Sequence, residues 1–289
     1  MRIQTVIRSP SIRQQIRILR RGSSPLPEIE SELDGSVARV TINRPEGRNA
    51  LTAKAANDLI DAITAFSPQD ARVIVITGRG TSFCAGADLS EYAVDESGES
   101  AYANLSGALV RAARLIGEHP LPVIGYINGP ALGGGATLAL ACDLRFAAPS
   151  AVIGIPAARL GVVLDFSNAR RLYHIAGASV ASDVLLGARI LDADEAEAAG
   201  IFNRVTRSDP PEDDVNKWLA EIASLAPKSQ AAHKKALRAL IDQIPPSPES
   251  DPALTEEITK LSIEAFGSED LQEGIAAFAS RRKPNFKGR

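Results

Sequence analysis

The sequence predicts an α/β fold followed by a helical C-terminal region. From Ser36 onward, short apolar segments alternate with segments whose apolar residues recur at helical spacing. Two of the apolar segments lead directly into glycine-bearing turns, at 82–89 and 128–137. After Ser208 the composition shifts to helix-forming residues. Alternating strands and helices are typical of a sheet covered by helices, and the later shift indicates that helices alone follow it.

The individual elements follow from the same patterns. Apolar runs rich in β-branched residues predict strands at 37–42, 73–76, 123–127 and 144–147. Helical spacing predicts a helix that Thr52 caps, a helix over 101–117 and short helices over 133–141 and 166–176. A D-x-x-E start at Asp192 predicts a further helix, which Gly200 ends.

Charge is unevenly distributed along the chain. The formal net charge is −3, but residues 1–27 contain six arginines and no acidic residue, so residues 28–289 carry −9. This acidic body argues against nucleic-acid binding, because neutralising phosphate requires a positive surface. We expect a flexible basic arm (1–27), an α/β core (28–206) and a helical C-terminal region (207–289). The arm also fits an organelle transit peptide or a membrane-surface helix.

Several other classes of protein and site are disfavoured. No apolar run approaches the ~20 residues that span a bilayer, so no stable membrane insertion is expected. We expect a cytoplasmic protein, or one of an organelle matrix if the arm is a transit peptide, with Cys84 and Cys142 as reduced thiols. The scattered histidines predict no metal site. The chain also lacks a G-x-S-x-G motif, a P-loop lysine and a complete dinucleotide fingerprint.

The two glycine-bearing turns carry the strongest chemical signal. Their sequences are SFCAGADL (82–89) and NGPALGGGAT (128–137). Glycine lets backbone N–H groups turn outward, and a glycine triplet that opens a helix places unpaired amides at the positive end of the helix dipole. Together the turns can direct two N–H donors at one oxygen, as in an oxyanion hole, where one donor is worth about 10²–10³-fold in rate.

Five ordered motifs make the chain resemble the enoyl-CoA hydratase/isomerase (crotonase) superfamily over residues 28–289. They are Arg48-Asn49-Ala50-Leu51, Ser82 to Leu89, Asn128 to Gly135, Cys142-Asp143-Leu144-Arg145 and Arg281 to Lys287. The resemblance implies a ClpP/crotonase-type spiral of ββα units with an α-helical C-terminal trimerisation region, assembled as a homotrimer or a dimer of trimers. It also implies an acyl-CoA thioester as ligand, so coenzyme A enters with the substrate and no separate cofactor is expected.

Matched by position, the resemblance also implies roles for individual residues. The amides that polarise the thioester carbonyl are those of Ala87 and Gly134. The contacts to adenine and pantetheine fall at Arg48, Ala50, Ala85, Asp88 and Leu89. Phe278 and Arg281 match tail positions that reach the coenzyme A site of a neighbouring subunit.

The chain departs from the hydratases of this family at both of their catalytic glutamates. Thr137 and Ala157 stand at the matching positions, and neither side chain can act as a carboxylate. One carboxylate lies nearby, Asp165, at the end of the apolar run 162–164. Asp165 fits a cap for the helix over 166–176, and it also matches a working aspartate of dienoyl-CoA isomerases in the family.

Three functions follow from these residues. We predict an enzyme that stabilises a thioester enolate and moves a proton through Asp165, with isomerase-like chemistry favoured over classical hydration. The alternative is a catalytically retired acyl-CoA-binding protein, since Thr137 and Ala157 replace the hydratase acids. A third possibility is an unrelated reaction through the same enolate. The fold alone does not choose among them.

Overall fold

The computed structural model of the protein describes residues 27–92, 102–243 and 251–288. The basic arm therefore lies outside the described residues, apart from Pro27. None of the helices in the described part of the chain is both long enough and apolar enough to cross a membrane.

The strands form a larger and a smaller sheet. Their bounds are β1 (Ile29–Asp34), β2 (Val37–Ile42), β3 (Val73–Gly78), β4 (Val123–Ile127), β5 (Ala131–Leu132), β6 (Leu144–Ala147), β7 (Val152–Gly154), β8 (Ile190–Asp192) and β9 (Arg204–Val205). The larger sheet has the order β1-β2-β3-β4-β6-β9, parallel except for the antiparallel β1–β2 pair. The smaller sheet has the order β5-β7-β8, with β7 and β8 antiparallel.

Helices follow most of the strands and then continue alone. Their bounds are α1 (Ala53–Thr64), α2 (Tyr102–Glu118), α3 (Gly134–Ala141), α4 (Phe166–Leu185), α5 (Ala193–Ala198), α6 (Glu212–Ala223), α7 (Pro227–Gln243), α8 (Pro252–Phe266) and α9 (Glu269–Ala279). Short 3₁₀ turns lie at Pro45–Gly47, Leu89–Tyr92 and Ala157–Arg159. The Thr52 hydroxyl caps α1 by accepting a hydrogen bond from Ala55 N, and Asp192 caps α5 in a capping box with Glu195.

The central strands are buried on both faces, as parallel strands between helices are. Along β3, Ile74 and Ile76 pack into the main core, which contains apolar side chains of α1, α2 and α3. Val73 and Val75 point to the other face, where Trp218 of α6 belongs to the packed cluster. This alternation places helices on both faces of the larger sheet.

The predicted α/β class and helical C-terminal region are confirmed. The strands expected at 37–42, 123–127 and 144–147 have the expected bounds. The helix expected over 166–176 is confirmed as the first part of α4, because the backbone leaves the helical conformation at Gly177 (φ +76°, ψ 168°), and a second helical part continues to Leu185.

Candidate active site

The segment after β2 is hydrogen-bonded to the loop after β3. Arg48 O accepts from Ala85 N at 3.0 Å. Leu51 pairs in both directions, because its N–H donates to Gly86 O and its carbonyl accepts from Asp88 N, each at 2.8 Å. The two segments therefore form one unit, in which predicted coenzyme A contacts from both lie side by side.

The loop after β3 is in turn paired with the segment that opens α3. Cys84 N donates to Pro130 O at 3.1 Å, and Cys84 O accepts from Leu132 N at 2.9 Å. Gly135 lies so close that a Cβ added to it would be 2.1 Å from Cys84 O, so only glycine permits this approach. Burial raises the pKa of the Cys84 thiol to about 12, which keeps it protonated and makes it a packing group.

This pairing places the amides of Ala87 and Gly134 next to one another. A Cβ added to Gly134 would lie 3.6 Å from Ala87 N, and a Cβ added to Gly86 would lie 3.2 Å from Gly134 N. Neither N–H donates to an acceptor among the described residues. Gly134 is the first residue of α3, where helix amides have no partner within the helix. The result is a pair of adjacent donors at the positive end of a helix.

Both amides open into a cavity of about 480 Å³. The cavity brings together all but one of the predicted site residues: Arg48, Ala50, Ala85, Ala87, Asp88, Leu89, Gly134, Asp165 and Phe278. Arg281 does not line it and lies exposed just beyond the end of α9, with φ +51°. Phe278, which the resemblance implies in a neighbouring subunit's site, lines the cavity of its own chain and is 55% exposed.

The two residues that the resemblance matches to hydratase glutamates also face this cavity. Thr137 lies in α3, and its hydroxyl donates to Gly134 O at 2.7 Å. Ala157 begins the 3₁₀ turn after β7. Both line the cavity, and they contribute a hydroxyl and a methyl group to its wall.

Asp165 is both a helix cap and a wall of the cavity. Its Oδ1 accepts from Asn168 N at 3.1 Å, which caps α4, and its Oδ2 accepts from Asn168 Nδ2 at 2.5 Å. Asn168 is 5% exposed, and its Oδ1 accepts from Arg171 Nη1 at 2.7 Å. The two sequence-based interpretations of Asp165, a helix cap and a working aspartate, are therefore compatible, because one side chain can cap α4 and line the cavity at the same time.

The other carboxylate of the cavity wall, Asp88, is held by Arg44. Arg44 Nη2 donates to Asp88 Oδ2 at 3.0 Å, and Arg44 Nη1 donates to Ala50 O. Burial opposes ionisation of Asp88, but hydrogen bonds from Ser90 and Arg44 outweigh it and hold the pKa of Asp88 below its usual value. Asp88 is therefore an ionised, structurally engaged group, whereas the hydrogen bonds of Asp165 to described residues lie within its own helix turn.

Sequence reasoning assigned no role to Arg44 and Asn49, which also shape this site. Arg44 positions Ala50 and Asp88, as described above. Asn49 is fully buried, and its Nδ2 donates to Ser82 O at 2.7 Å and to Arg79 O at 3.0 Å. Burial and a positive φ (+58°) inside a tight turn mark this role of Asn49 in the structure, and the sequence alone shows neither.

The groups on the cavity wall determine which chemical steps the cavity can support. The paired amides can stabilise negative charge on a bound oxygen, and Asp165 can accept or return a proton beside it. Within 27–92, 102–243 and 251–288, no three His, Cys, Asp or Glu side chains gather as metal ligands.

Known proteins are similar to this chain in sequence and fold over most of its length. The family described as Enoyl-CoA hydratase/isomerase matches residues 32–289. A probable enoyl-CoA hydratase, echA6, of Mycobacterium tuberculosis is 38% identical over 253 residues, covering 88% of this chain and 96% of that protein. The crotonyl-CoA hydratase of Syntrophomonas wolfei is 35% identical over 262 residues, covering 88% and 96%.

A solved structure extends the match to the fold. The crystal structure of an enoyl-CoA hydratase from Mycobacterium avium subsp. paratuberculosis superposes with a TM-score of 0.78 at 30% identity, covering 91% of this chain and all of that one. The fold is therefore the crotonase-type fold that the motifs predicted. Sequence and structure agree that the chain belongs to the enoyl-CoA hydratase/isomerase family.

Proposed function

We propose that this protein binds an acyl-CoA thioester and polarises its carbonyl with the N–H groups of Ala87 and Gly134. The observation that carries the proposal is the pair of adjacent amides, which have no acceptor within the described part of the chain and open to a cavity of about 480 Å³. Relatives named as enoyl-CoA and crotonyl-CoA hydratases act on ligands of this class. A thioester oxygen that gains negative charge is the acceptor that such a pair stabilises best.

The coenzyme A portion would lie along the hydrogen-bonded unit formed by the segments after β2 and β3. Arg48, Ala50, Ala85, Asp88 and Leu89 are the proposed contacts on that unit. Because the body of the chain is acidic, the phosphates of coenzyme A would be attracted by local donors such as Arg48, not by the overall field.

The proposed chemistry is a shift of a double bond through an enolate. Asp165 removes a proton from the α-carbon of a 3-enoyl thioester, and the electron pair moves to the carbonyl oxygen held by the two amides, which gives a dienolate. The protonated Asp165 then returns the proton to the γ-carbon, which leaves a double bond between the α- and β-carbons. One carboxylate serves both proton transfers, and Asp165 ends as it began.

The carbon that loses the proton depends on the direction of the shift. A 2-enoyl thioester follows the reverse course, losing its γ-proton and gaining one at the α-carbon. In both directions atoms and charge balance with no further reactant.

Classical hydration fits the cavity less well. Adding water across a double bond needs a base for the water and an acid for the α-carbon, each worth about 10²–10⁴-fold. Thr137 and Ala157 supply neither group, and the Thr137 hydroxyl already donates to Gly134 O. Isomerisation through a single carboxylate is therefore the better account of these residues.

The second candidate function is binding of an acyl-CoA without turnover. One observation favours it: both oxygens of Asp165 already accept hydrogen bonds from Asn168. If Asp165 serves only to cap α4, the cavity keeps its two oxyanion donors but has no group that transfers a proton.

Assembly as a homotrimer or a dimer of trimers in the cytoplasm belongs to the same proposal. The C-terminal helices carry exposed apolar side chains, which support an interface there: Leu237, Leu240, Leu261 and Ile263. Arg281 lies outside the cavity of its own chain, as expected if it reaches the site of a neighbour.

A panel of thioesters tests the proposal with binding and turnover measured side by side. The purified protein is titrated by calorimetry with butyryl-CoA, crotonyl-CoA and 3-butenoyl-CoA, and the two enoyl thioesters are assayed for isomerisation and hydration. Isomerisation faster than hydration supports the enzyme. Tight binding without either reaction supports the binding protein, and absence of binding contradicts both.

A further inference from the structure

Arg44 connects the two segments of the proposed coenzyme A unit from outside the cavity. It follows β2 and is not among the residues of the cavity wall. Its Nη1 donates to Ala50 O, and its Nη2 donates to Asp88 Oδ2 at 3.0 Å. Ala50 belongs to the segment after β2, whereas Asp88 belongs to the loop after β3. One planar guanidinium group therefore joins the two segments.

A backbone bridge between these segments fixes the direction of the Ala87 amide. Leu51 and Ala87 face each other in a parallel β-bridge. Leu51 N donates to Gly86 O, and Leu51 O accepts from Asp88 N. Because successive backbone groups of an extended segment point to opposite sides, the N–H of Ala87 points away from Leu51. This N–H is therefore available to a bound acceptor.

Arg44 binds the residues beside this bridge on both segments. Ala50 directly precedes Leu51 in the sequence, and its carbonyl is one acceptor of the guanidinium group. Asp88 directly follows Ala87, and its carboxylate is the other acceptor. A shift of either segment would turn the Ala87 amide, and a hydrogen bond weakens steeply as its donor angle departs from linearity. Arg44 therefore lies where it can fix this angle.

A third segment holds Arg44 itself in place. Arg44 Nε lies 3.1 Å from Glu28 Oε1, and Glu28 O accepts from Asn43 N at 2.7 Å, just before β1 begins. The side chains of Arg44, Asp88 and Glu28 are 21%, 27% and 32% exposed. Partly buried ion pairs such as these are screened less than exposed ones. The guanidinium group is therefore fixed from β1, from the segment after β2 and from the loop after β3.

We propose that Arg44 is a positioning residue of the oxyanion site, which sets the direction of the Ala87 N–H and thereby the polarisation of a bound thioester carbonyl. The inference rests on the proposed function, because the carbonyl oxygen must lie at this amide. Replacing Arg44 by a neutral residue removes both side-chain bonds beside the bridge and leaves the Ala87 amide in the chain. This donor is then present but misdirected, and oxyanion donors are effective only when they are preorganised.

Vibrational spectroscopy of a bound thioester tests the proposal. Full-length protein is saturated with butyryl-CoA that carries an isotope label at the carbonyl carbon, and difference infrared spectroscopy measures the C=O stretch. Hydrogen bonds to the oxygen lower this frequency relative to that of the free thioester in water. The wild type should lower it, and Arg44→Met should lose about half of that shift or more, since one of two donors is misdirected. Saturation makes the result independent of any loss of affinity.

Two further variants complete the experiment. Arg39→Met is the matched control, because Arg39 of β2 pairs with Asp34 of β1 and is 27% exposed, so the variant breaks a comparable ion pair away from the bridge and should keep the full shift. Arg44→Lys retains the positive charge, but one ammonium group does not reproduce the planar fork of the guanidinium. It should lose part of the shift, and it provides the test if Arg44→Met does not fold.

The outcomes separate this inference from the proposed function. A full shift in the folded Arg44 variants, or an equal loss in Arg39→Met, overturns the inference but leaves thioester binding intact. Folded Arg44 variants that no longer bind butyryl-CoA also overturn it, because Arg44 would then be required for binding and not for direction. A wild type that binds butyryl-CoA without lowering the frequency, or does not bind it, contradicts the proposed function as well.

Discussion

The side chain of Asn168 holds the carboxylate of Asp165 from within the same helix turn. Asn168 Nδ2 lies 2.5 Å from Asp165 Oδ2, and Asn168 N lies 3.1 Å from Oδ1. Arg171 donates in turn to Asn168 Oδ1 at 2.7 Å. The one carboxylate that we assign to proton transfer is therefore fixed in orientation by a buried amide.

Removing this amide should impair catalysis more than binding. In Asn168→Ala, Asp165 loses one donor, and we expect kcat for isomerisation to fall about tenfold or more because a reacting group is no longer positioned. KM should change little, since Asn168 is not a proposed coenzyme A contact. Steady-state kinetics measure the changes in kcat and KM separately. Asn57→Ala, which removes an exposed asparagine of α1, is the control. Equal losses in kcat and affinity, or none, would contradict a positioning role.

A methyl group between the two amides should block the oxyanion site. In Gly134→Ala, the new Cβ would lie 3.6 Å from Ala87 N and 3.0 Å from Leu109 Cδ1. We expect turnover to fall about 10²-fold or more, the loss seen when one oxyanion donor is removed. Gly107→Ala in α2 is the control, because its Cβ would make only an ordinary contact, 3.4 Å from Arg111 Nη1. Full activity in Gly134→Ala would place the thioester oxygen elsewhere.

A largely buried ion pair should contribute to stability by docking α7 on the core. Lys234 Nζ lies 2.7 Å from Asp143 Oδ2 and also donates to Ile116 O and Leu121 O. Lys234→Met leaves Asp143 buried without its cation, so we expect the free energy of unfolding to fall by about 3–5 kcal/mol in urea denaturation. Lys54→Met, in an exposed pair with Asp58, should leave it unchanged.

The same variant has a pH signature. Burial raises the pKa of Asp143 above its ordinary value. A raised pKa means that the neutral form is favoured in the folded state, so the stability deficit of Lys234→Met should shrink as the pH falls and Asp143 is protonated. A deficit that grows at low pH would contradict this account.

The C-terminal tail should detach from α9 in acid. Hydrogen bonds from Arg282, and then from Asn285 N, lower the pKa of Glu273 to about 2. Because this pKa is depressed, the contact is complete above the ordinary value of 4.5 and is lost as the pH falls from there to about 2. The NMR shift of the Asn285 amide should report this transition. Glu273→Gln should abolish it, and an unchanged transition in that variant would contradict the assignment.

Local sequence patterns predicted much of the fold, and their failures have physical causes. Strands such as β2 and β4 were predictable because apolar residues end sharply at turn residues. β1 was missed because it is an edge strand with four exposed residues and no apolar alternation. The end of the helix over 166–176 was predictable because Gly177 takes a non-helical conformation, whereas the second helical part of α4, up to Leu185, was not predicted.

The residues of the candidate site could likewise be predicted only where local sequence determines their role. The glycine turns predicted a pair of exposed amides, since a local sequence determines where backbone amides are exposed, and the family resemblance assigned them to Ala87 and Gly134. Arg44 could not be found in this way, because its role depends on Asp88, 44 positions later. Asn168 was missed as well, although a D-x-x-N pattern at a helix start is the signal for such a pair.

The most direct test of the central claim is wash-in of solvent deuterium at the α-carbon of a bound enoyl-CoA thioester. Wild-type protein and Asp165→Asn are compared, with thioester affinity measured in the same samples. Asparagine retains the oxygen that caps the helix, whereas its amide nitrogen can accept neither a proton nor the hydrogen bond from Asn168 Nδ2. We predict exchange in the wild type, a loss of about 10²-fold or more in Asp165→Asn, and unchanged affinity. Equal exchange in both proteins, or tight binding with no exchange in the wild type, would contradict the claim.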